Sequence, residues 1–342
     1  MALRTGPLRT GLLGYGMAGR VFHAPLITAT PGLALSAVVT RAHRDEVRAA
    51  HPSAAVVDHV EELFGLELDL LVVASPNRTH VPLALAAIEA GIPVVVDKPL
   101  AATSADARRV LKAAEYRGVP LTVFQNRRWD SDFLTVRSLL ADGALGRVTR
   151  FESRFERWVP EVPDGWRERP EPDEAGGVWY DLGAHLVDQA LQLFGPVRTV
   201  YAELDERRPG ALVDDDAFVA LTHVDGVRSH LWASATAAHR GPRLRVLGSR
   251  AAYVSEGVDG QEGALAAGLP FEGLSTPGAL GVGGDVVPVP GVPGAYSAFY
   301  RLLVAALTTG GPMPVDPESA VPVLEVIEAA SQSARTGQVV AV

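Results

Sequence analysis

Three side chains in this sequence have the type and spacing for proton chemistry. Asp181 and His185 lie four residues apart in a stretch that reads as helix, so they share one face. A carboxylate beside an imidazole fixes its tautomer and raises its basicity, which suits a proton acceptor at neutral pH. The same spacing also describes a pair that merely stabilises a helix. Just ahead of it, Gly176 and Gly177 allow the backbone to pass close to another group. The third side chain is Lys98, in Asp97-Lys98-Pro99, directly after an apolar run that reads as a strand. A lysine held at a strand end between an acid and a proline is positioned, and ligands bind at that edge of open α/β sheets. An ordinary surface lysine in a βα loop reads equally well. Asp188 extends the face of Asp181 and His185, but no second histidine stands close by, and no metal site is expected.

A second pattern concerns phosphate. Gly14-Tyr15-Gly16-Met17-Ala18-Gly19 follows the stretch Leu8–Leu13, read as the first strand, and opens an amphipathic segment. This is G-x-G-x-x-G with a strand before it and a helix after it. Gly14 makes the turn, Gly16 admits a pyrophosphate, Gly19 lets helix and strand pack, and the helix N-terminus at Met17 and Ala18 faces the phosphate charge. A plain βα turn would use similar residues. About twenty residues on, the second strand ends at Thr40-Arg41, with Arg44 following. An acid at that tip would accept from a ribose 2′-hydroxyl and repel a 2′-phosphate. A hydroxyl and guanidinium groups favour the phosphate, so NADP is expected over NAD, with NAD use still possible. Arg41 stacked on adenine would instead suit either cofactor. Asn126-Arg127-Arg128-Trp129-Asp130 lies at the same sheet edge as Lys98, and is read as contacting cofactor or substrate or, in part, as a salt-bridged linker.

The elements that must position these groups fall into two halves. Residues 8–124 alternate strand and helix: strands at 8–13, 33–40, 68–74, 92–96 and 119–124, and helices beginning near Met17, Thr79 and Thr103. The first helix is expected to be disturbed at Pro25. Thr79 is read as a helix cap with Gly91 as the stop, and Thr103 with Asp106 as a capping box ending at Gly118. This alternation implies an α/β Rossmann domain with a doubly wound parallel sheet over residues 1–124. The remainder, 125–342, reads as an α+β domain. It starts with a helix capped by Asp130 or Ser131 and a strand at 148–158, then has a Pro-, Glu- and Gly-rich loop to 177 and a helix over 178–194. Strands at 197–204, 217–224, 228–234, 243–247 and 251–255 have few helices between them, so the sheet should be large, mostly antiparallel and open on one face. Residues 256–294 show little pattern, and helices at about 295–309 and 317–335 close the chain.

Composition narrows the function. The chain has 342 residues, which favours two domains, and a formal net charge of −9 with no Lys/Arg cluster, which argues against nucleic acid as a partner. It has no cysteine, which excludes disulfides, thiolate nucleophiles and cysteine metal sites. No signal-peptide core or membrane-length apolar run is present, so a cytoplasmic protein without a membrane partner is expected.

Taken together, G-x-G-x-x-G, Ser75-Pro76-Asn77 with His80, Asp97-Lys98-Pro99, and Gly176-Gly177 followed by Asp181 and His185 resemble the Gfo/Idh/MocA oxidoreductases over essentially the whole chain. That family usually has Glu-Lys-Pro where this chain has Asp97-Lys98-Pro99, a change that keeps the charge. The stretches Val21-Phe22-His23-Ala24-Pro25-Leu26, 126–134, Tyr180-Asp181-Leu182-Gly183-Ala184-His185 and Asp259-Gly260-Gln261-Glu262 resemble the branch that contains NADP-dependent scyllo-inositol 2-dehydrogenases. The resemblance implies Lys98 as the catalytic lysine and His185 as acceptor of the hydroxyl proton, with Asp181 orienting His185 or binding a substrate hydroxyl. It further implies cofactor contacts from Gly14, Gly16, Met17, Ala18, Ser75, Pro76, Asn77, His80, Lys98 and Asn126, and from Trp166-Arg167 near the nicotinamide. A polyol or sugar substrate is implied, and a homodimer or homotetramer formed through the open sheet face. A non-catalytic dinucleotide sensor on the same fold is the competing class, but it would need none of Lys98, Asp181 and His185.

Overall fold

Parallel strands covered on both faces are apolar throughout, which is why the first sheet shows so clearly in the sequence. The computed structural model describes residues 6–342. Its first sheet comprises β1 (Leu8–Leu13), β2 (Leu33–Val39), β3 (Ala55–Val57), β4 (Leu70–Val73), β5 (Val94–Asp97) and β6 (Leu121–Phe124), all parallel, in the order β3-β2-β1-β4-β5-β6. Helices α1 (Ala24–Ala29), α2 (Arg44–Ala50), α3 (Val60–Phe64), α4 (His80–Glu89) and α5 (Ser104–Arg117) connect them. The order reverses between β1 and β4, and the crevice at that switch point is where a doubly wound sheet holds its ligand. Gly118 ends α5 in the left-handed region, at φ +63°, and Thr103 Oγ1 accepts from the Asp106 backbone N–H, both as the sequence suggests.

The second half opens with α6 (Ser131–Ala141), β7 (Val148–Glu156) and α7 (Ala184–Phe194). Strands β8 (Val197–Asp205), β9 (Asp216–His223), β10 (Arg228–Ser234), β11 (Leu244–Gly248) and β12 (Ala252–Ser255) follow. Then come α8 (Gln261–Ala266), the hairpin β13 (Gly278–Val282) and β14 (Asp285–Val289), α9 (Ser297–Thr309), α10 (Ala320–Thr336) and β15 (Val340–Ala341). The nine strands order as β14-β13-β12-β11-β7-β10-β9-β8-β15, antiparallel except for β7 with β10. Helices α7 and α10 cover one face, burying Val200, Val219, Leu221 and Leu231 with Leu186, Val187, Val323 and Ile327. The alternate strand positions, including Tyr201, Phe218, His230 and Trp232, form the other face, with no helix among the described residues over it.

Several local expectations are corrected. The segment 256–294 is not patternless, for it contains α8 and the β13–β14 hairpin. The irregularity in the first helix precedes Pro25: Ala18–His23 is a π-helical turn in which the Ala24 N–H reaches back to Gly19 O. The helix over 178–194 likewise begins as a π turn, Trp179–Gly183, before α7. Thr79 does not cap α4 with its side chain. Its hydroxyl donates to Pro76 O at 2.7 Å. Asp130 stands at the start of α6 without a cap hydrogen bond, because its carboxylate accepts from Tyr296 at 2.6 Å. No helix among the described residues is long and apolar enough to cross a membrane.

Candidate active site

The glycine turn is built by close approach. Gly14 has φ +100°, and a Cβ there would lie 2.6 Å from Ala74 O at the end of β4. A Cβ on Gly19 would lie 2.1 Å from Gly14 O, so only glycine lets the helix rest on the turn. At Gly16 the situation reverses: no atom lies within 4 Å of an ideal Cβ. Bare backbone therefore faces open space beside the first N–H groups of a helix, a cradle that fits a dinucleotide pyrophosphate.

Gly14, Gly16, Met17, Ala18, Ser75, Pro76, Asn77, His80, Lys98, Trp166 and Arg167 border one cavity of about 240 Å³. Asn126 and His185 border a second, inner cavity of about 180 Å³. Both are bordered by Met17, Ala18, Asp97, Lys98, Arg167 and Asp181, so the two form a continuous cleft. Two of the residues read as cofactor contacts turn their polar atoms inward instead. The Asn77 amide donates to Glu174 O at 3.0 Å, and the His80 ring nitrogens lie 2.8 Å from Pro99 O and 2.9 Å from Ser75 O. Their contribution is to fix the loops that border the cleft.

Thr40, Arg41 and Arg44 stand apart, at the tip of β2. Thr40 is buried, and its hydroxyl accepts from the His43 backbone N–H at 3.2 Å. Arg44 is not free, because it forms an ion pair with Asp58 just beyond β3. Arg41 is exposed and has no ion pair among the described residues. The His43 ring, 6.3 Å from that of Tyr15, links this corner to the glycine turn.

The loop that carries Trp166 and Arg167 folds back on itself. A Cβ on Gly176 would lie 2.4 Å from Arg169 O and 2.8 Å from Arg167 O, and Gly177, at φ +92°, donates to Arg167 O. The close approach implied by the paired glycines is thus within the chain itself, to backbone at Gly176 and to the Asp214 carboxylate at Gly177. Asp214 accepts from the Trp179 N–H at 2.7 Å and holds the start of the π turn. Arg167 lies over the Trp166 ring at 4.5 Å.

Lys98 Nζ donates to Asp181 O at 2.7 Å and to Asp181 Oδ1 at 3.0 Å. Arg167 Nε donates to the same carboxylate at 3.2 Å, and Arg157 lies 4.0 Å from it. Burial alone would raise the Asp181 carboxyl, but Lys98, Arg167 and Arg157 hold it well below the usual carboxylate range. Asp181 makes no hydrogen bond to His185, contrary to the expectation that it orients the imidazole. Asp181 lies in the π turn and His185 in the α-helix after it, so the spacing between them is not that of a regular α-helix. His185 is buried, and its Nδ1 has no hydrogen-bond partner among the described residues. Burial, with Lys98 and Arg127 nearby, holds it well below the ordinary histidine value, so it is neutral at neutral pH.

The far wall divides the two adjacent arginines. Arg128 grips Asp188 with bonds of 2.9 and 2.6 Å and donates to Ser319 Oγ, so it is the salt-bridged linker, and Asp188 takes no place beside Asp181 and His185. Arg127 borders the inner cavity, donates to Glu262 at 2.6 Å and to Asp130 at 3.3 Å, and lies over the Phe155 ring at 4.6 Å. Glu262, Glu156 and Arg157 are wall residues to which the sequence reading gave no role. The signal for Glu262 was the Asp259-Gly260-Gln261-Glu262 stretch. There Asp259 accepts from the Ser131 N–H at 2.7 Å and Gln261 accepts from the Tyr296 N–H at 2.8 Å, which presents Glu262 to the cavity.

Comparison with known proteins agrees with the fold. Residues 8–125 match the oxidoreductase family with an NAD-binding Rossmann fold, and residues 133–254 match the GFO/IDH/MocA C-terminal domain. The chain is 43% identical to the "Uncharacterized oxidoreductase YdgJ" of Escherichia coli (strain K12), over 96% of each chain. It is 34% identical to the scyllo-inositol 2-dehydrogenase (NADP(+)) IolW of Bacillus subtilis (strain 168), covering 96% of this chain and 94% of that protein. Among solved structures, the "putative oxidoreductase yvaA" from Bacillus subtilis superposes with a TM-score of 0.92 at 32% identity, over 99% of both chains.

Proposed function

Since the chain belongs to the Gfo/Idh/MocA family of oxidoreductases, we propose that it interconverts a secondary ring alcohol of a polyol and the matching ketone, with NADP(H) as the partner and scyllo-inositol the favoured polyol. The carrying observation is the inner cavity that opens from the dinucleotide cradle. It is small for a ligand pocket, at about 180 Å³, and suits a small polyol or sugar. Phe22, Phe124 and Phe155 give it apolar surface, while Lys98, Arg127, Arg157, Asp181 and Glu262 supply donors and acceptors. Ring hydroxyls both donate and accept, so a wall of mixed charge matches them. When bound, the nicotinamide exchanges a hydride with the substrate carbon. Lys98 and Asp181 border both cavities and His185 borders the inner one, and the reacting oxygen would lie among them. The likeness to IolW supports both the polyol and the 2′-phosphate, and Arg41 at the tip of β2 supports the latter. We also propose a homodimer or homotetramer formed through the bare face of the nine-stranded sheet.

The test is a panel of inositols, keto-inositols, pyranoses and open-chain polyols, each assayed with NADP(H) and NAD(H). Turnover of an inositol or its ketone with NADP(H) is expected. Activity confined to a pyranose would remove the inositol assignment, and inactivity throughout despite dinucleotide binding would favour the sensor.

A further inference from the structure

The stretch Asp259-Gly260-Gln261-Glu262 is tied down more firmly than a surface turn needs. Besides the bond from the Ser131 N–H, Asp259 accepts from the Gln261 N–H at 2.8 Å. The Gln261 amide donates to Trp129 O at 3.0 Å, and a Cβ on Gly294 would lie 2.1 Å from its nitrogen. Asp259 and Gln261 are buried, whereas the Glu262 side chain beside them is 32% exposed. Helix α8, which carries Glu262 in its first turn, packs against the π turn Ala18–His23 at the start of the dinucleotide cradle. Two buried neighbours thus hold Glu262 at the wall of the inner cavity.

The cations bordering that cavity each have a carboxylate of the chain's own. Lys98, Arg157 and Arg167 converge on Asp181. Arg127 has Glu262 at 2.6 Å and the buried Asp130 at 3.3 Å. Burial opposes the charge of Arg127, but Tyr296, Asp130 and Glu262 outweigh burial and keep it charged. A substrate carboxylate or phosphate would therefore meet no cation without a counter-ion. Of the Glu262 oxygens, Oε2 receives Arg127, while Oε1 has no hydrogen-bond partner among the described residues. An ionised carboxylate only accepts, so the substrate group that fits Oε1 is a donor, and in a polyol that donor is a hydroxyl.

We propose that Glu262 sets the substrate class: its free oxygen accepts from a substrate hydroxyl other than the reacting one, and its hold on Arg127 shuts out sugar and polyol acids. The proposal rests on the function given above, which puts the substrate in this cavity. The exclusion of acids follows from the shape of Arg127. A guanidinium is a planar fork that matches a carboxylate, and Glu262 occupies this fork as the carboxylate of a substrate would. Removing the charge of Glu262 opens the fork to an acid.

The test uses the full chain saturated with whichever dinucleotide binds more tightly. Ligand-observed NMR compares glucose with glucuronate, which differ in a hydroxymethyl group against a carboxylate. The unaltered protein should bind the acid more weakly. Glu262→Gln keeps the shape and loses the charge, and should gain at least about tenfold for glucuronate, as for one hydrogen bond to a charged group. A folded glutamine variant without that gain would overturn the proposal. So would an unaltered protein that already prefers the acid, a result that needs no variant. Thermal unfolding and a dinucleotide affinity within about threefold of the parent's identify the variants as folded. Turnover reads the other half. With a neutral polyol substrate, Glu262→Gln and Glu262→Ala should raise KM about tenfold and leave kcat within about threefold, because a bond made equally in the ground and transition states shows in KM. An unchanged KM in both would overturn the hydroxyl contact. Failure to find any polyol substrate counts against the proposed function, while the glucuronate comparison still decides this proposal.

Discussion

Replacing Arg41 with alanine tests how the tip of β2 chooses its dinucleotide. Arg41 is exposed there with no ion pair among the described residues, while its neighbour Arg44 is paired with Asp58. A guanidinium free to meet a 2′-phosphate makes charge-assisted hydrogen bonds contributing roughly 1.5–3 kcal/mol. At about 1.4 kcal/mol per factor of ten, Arg41→Ala should weaken NADP(H) binding by about ten- to a hundredfold. NAD(H) presents a hydroxyl at that place, and its affinity should change by less than about threefold. Asp58→Asn should act in the opposite sense, because it releases Arg44 and removes a nearby carboxylate. The Arg44 and Asp58 side chains are 35% and 40% exposed. Solvent screening therefore limits that gain to about 1 kcal/mol, a fewfold change. Calorimetric titration of both dinucleotides into the three proteins, at one fixed ionic strength, measures all of these. Equal losses for NADP and NAD in Arg41→Ala would mean that the arginine stacks on adenine, and equal affinities in the unaltered protein would refute selection at the strand tip.

Other consequences are open to direct measurement. Gly19→Val would force a Cβ to within 2.1 Å of the Gly14 carbonyl, backbone that cannot swing away, so urea unfolding should show a loss of about 1–3 kcal/mol. A loss below about 0.5 kcal/mol, the size of an ordinary surface change, would show that the helix does not rest on the turn. Because burial and the nearby Lys98 and Arg127 lower the His185 pKa, its neutral form persists as pH falls through the ordinary histidine range. The pH profile of carbonyl reduction should therefore carry no inflection from His185 near about 6.5, and an inflection there that vanishes in His185→Gln would contradict this. Trp232 lies on the bare sheet face under Arg154, whose guanidinium carbon is 3.8 Å from the ring. Sedimentation velocity should show an oligomer that Trp232→Glu weakens, and a monomeric parent protein would remove the proposed interface.

What the sequence disclosed, and what it hid, follows from the range of the interactions. The parallel sheet was legible because β2, β4, β5 and β6 are mostly apolar blocks between turn signals and β1 ends in Leu12-Leu13 just before the glycine turn, whereas β3 has only three residues and makes no pattern. The β13–β14 hairpin escaped notice because its exposed Val282, Val286 and Val287 break the usual alternation. Lys98 was recognisable from its place at a strand end. Its partner was not, since Asp181 and His185 have helical spacing and nothing local announces the π turn that separates them. Arg127 and Arg128 are indistinguishable as neighbours. Glu262 and Asp188, far along the chain, send one to the cavity and the other to the scaffold. Arg44 looked available for the same reason, because Asp58 lies fourteen residues away.

The most direct test of the account is Lys98→Met, examined for turnover and for dinucleotide affinity in the same preparation. Lys98 borders both cavities, but its ammonium is held at Asp181, where the proposed function puts the substrate oxygen, whereas the phosphates are assigned by that proposal to the glycine turn and helix N-terminus. Turnover should fall by at least about a hundredfold, as for loss of an acid–base group, with NADP(H) affinity changed by less than about threefold. Near-normal turnover, or affinity lost in step with activity, would contradict the claim that this lysine acts on the substrate.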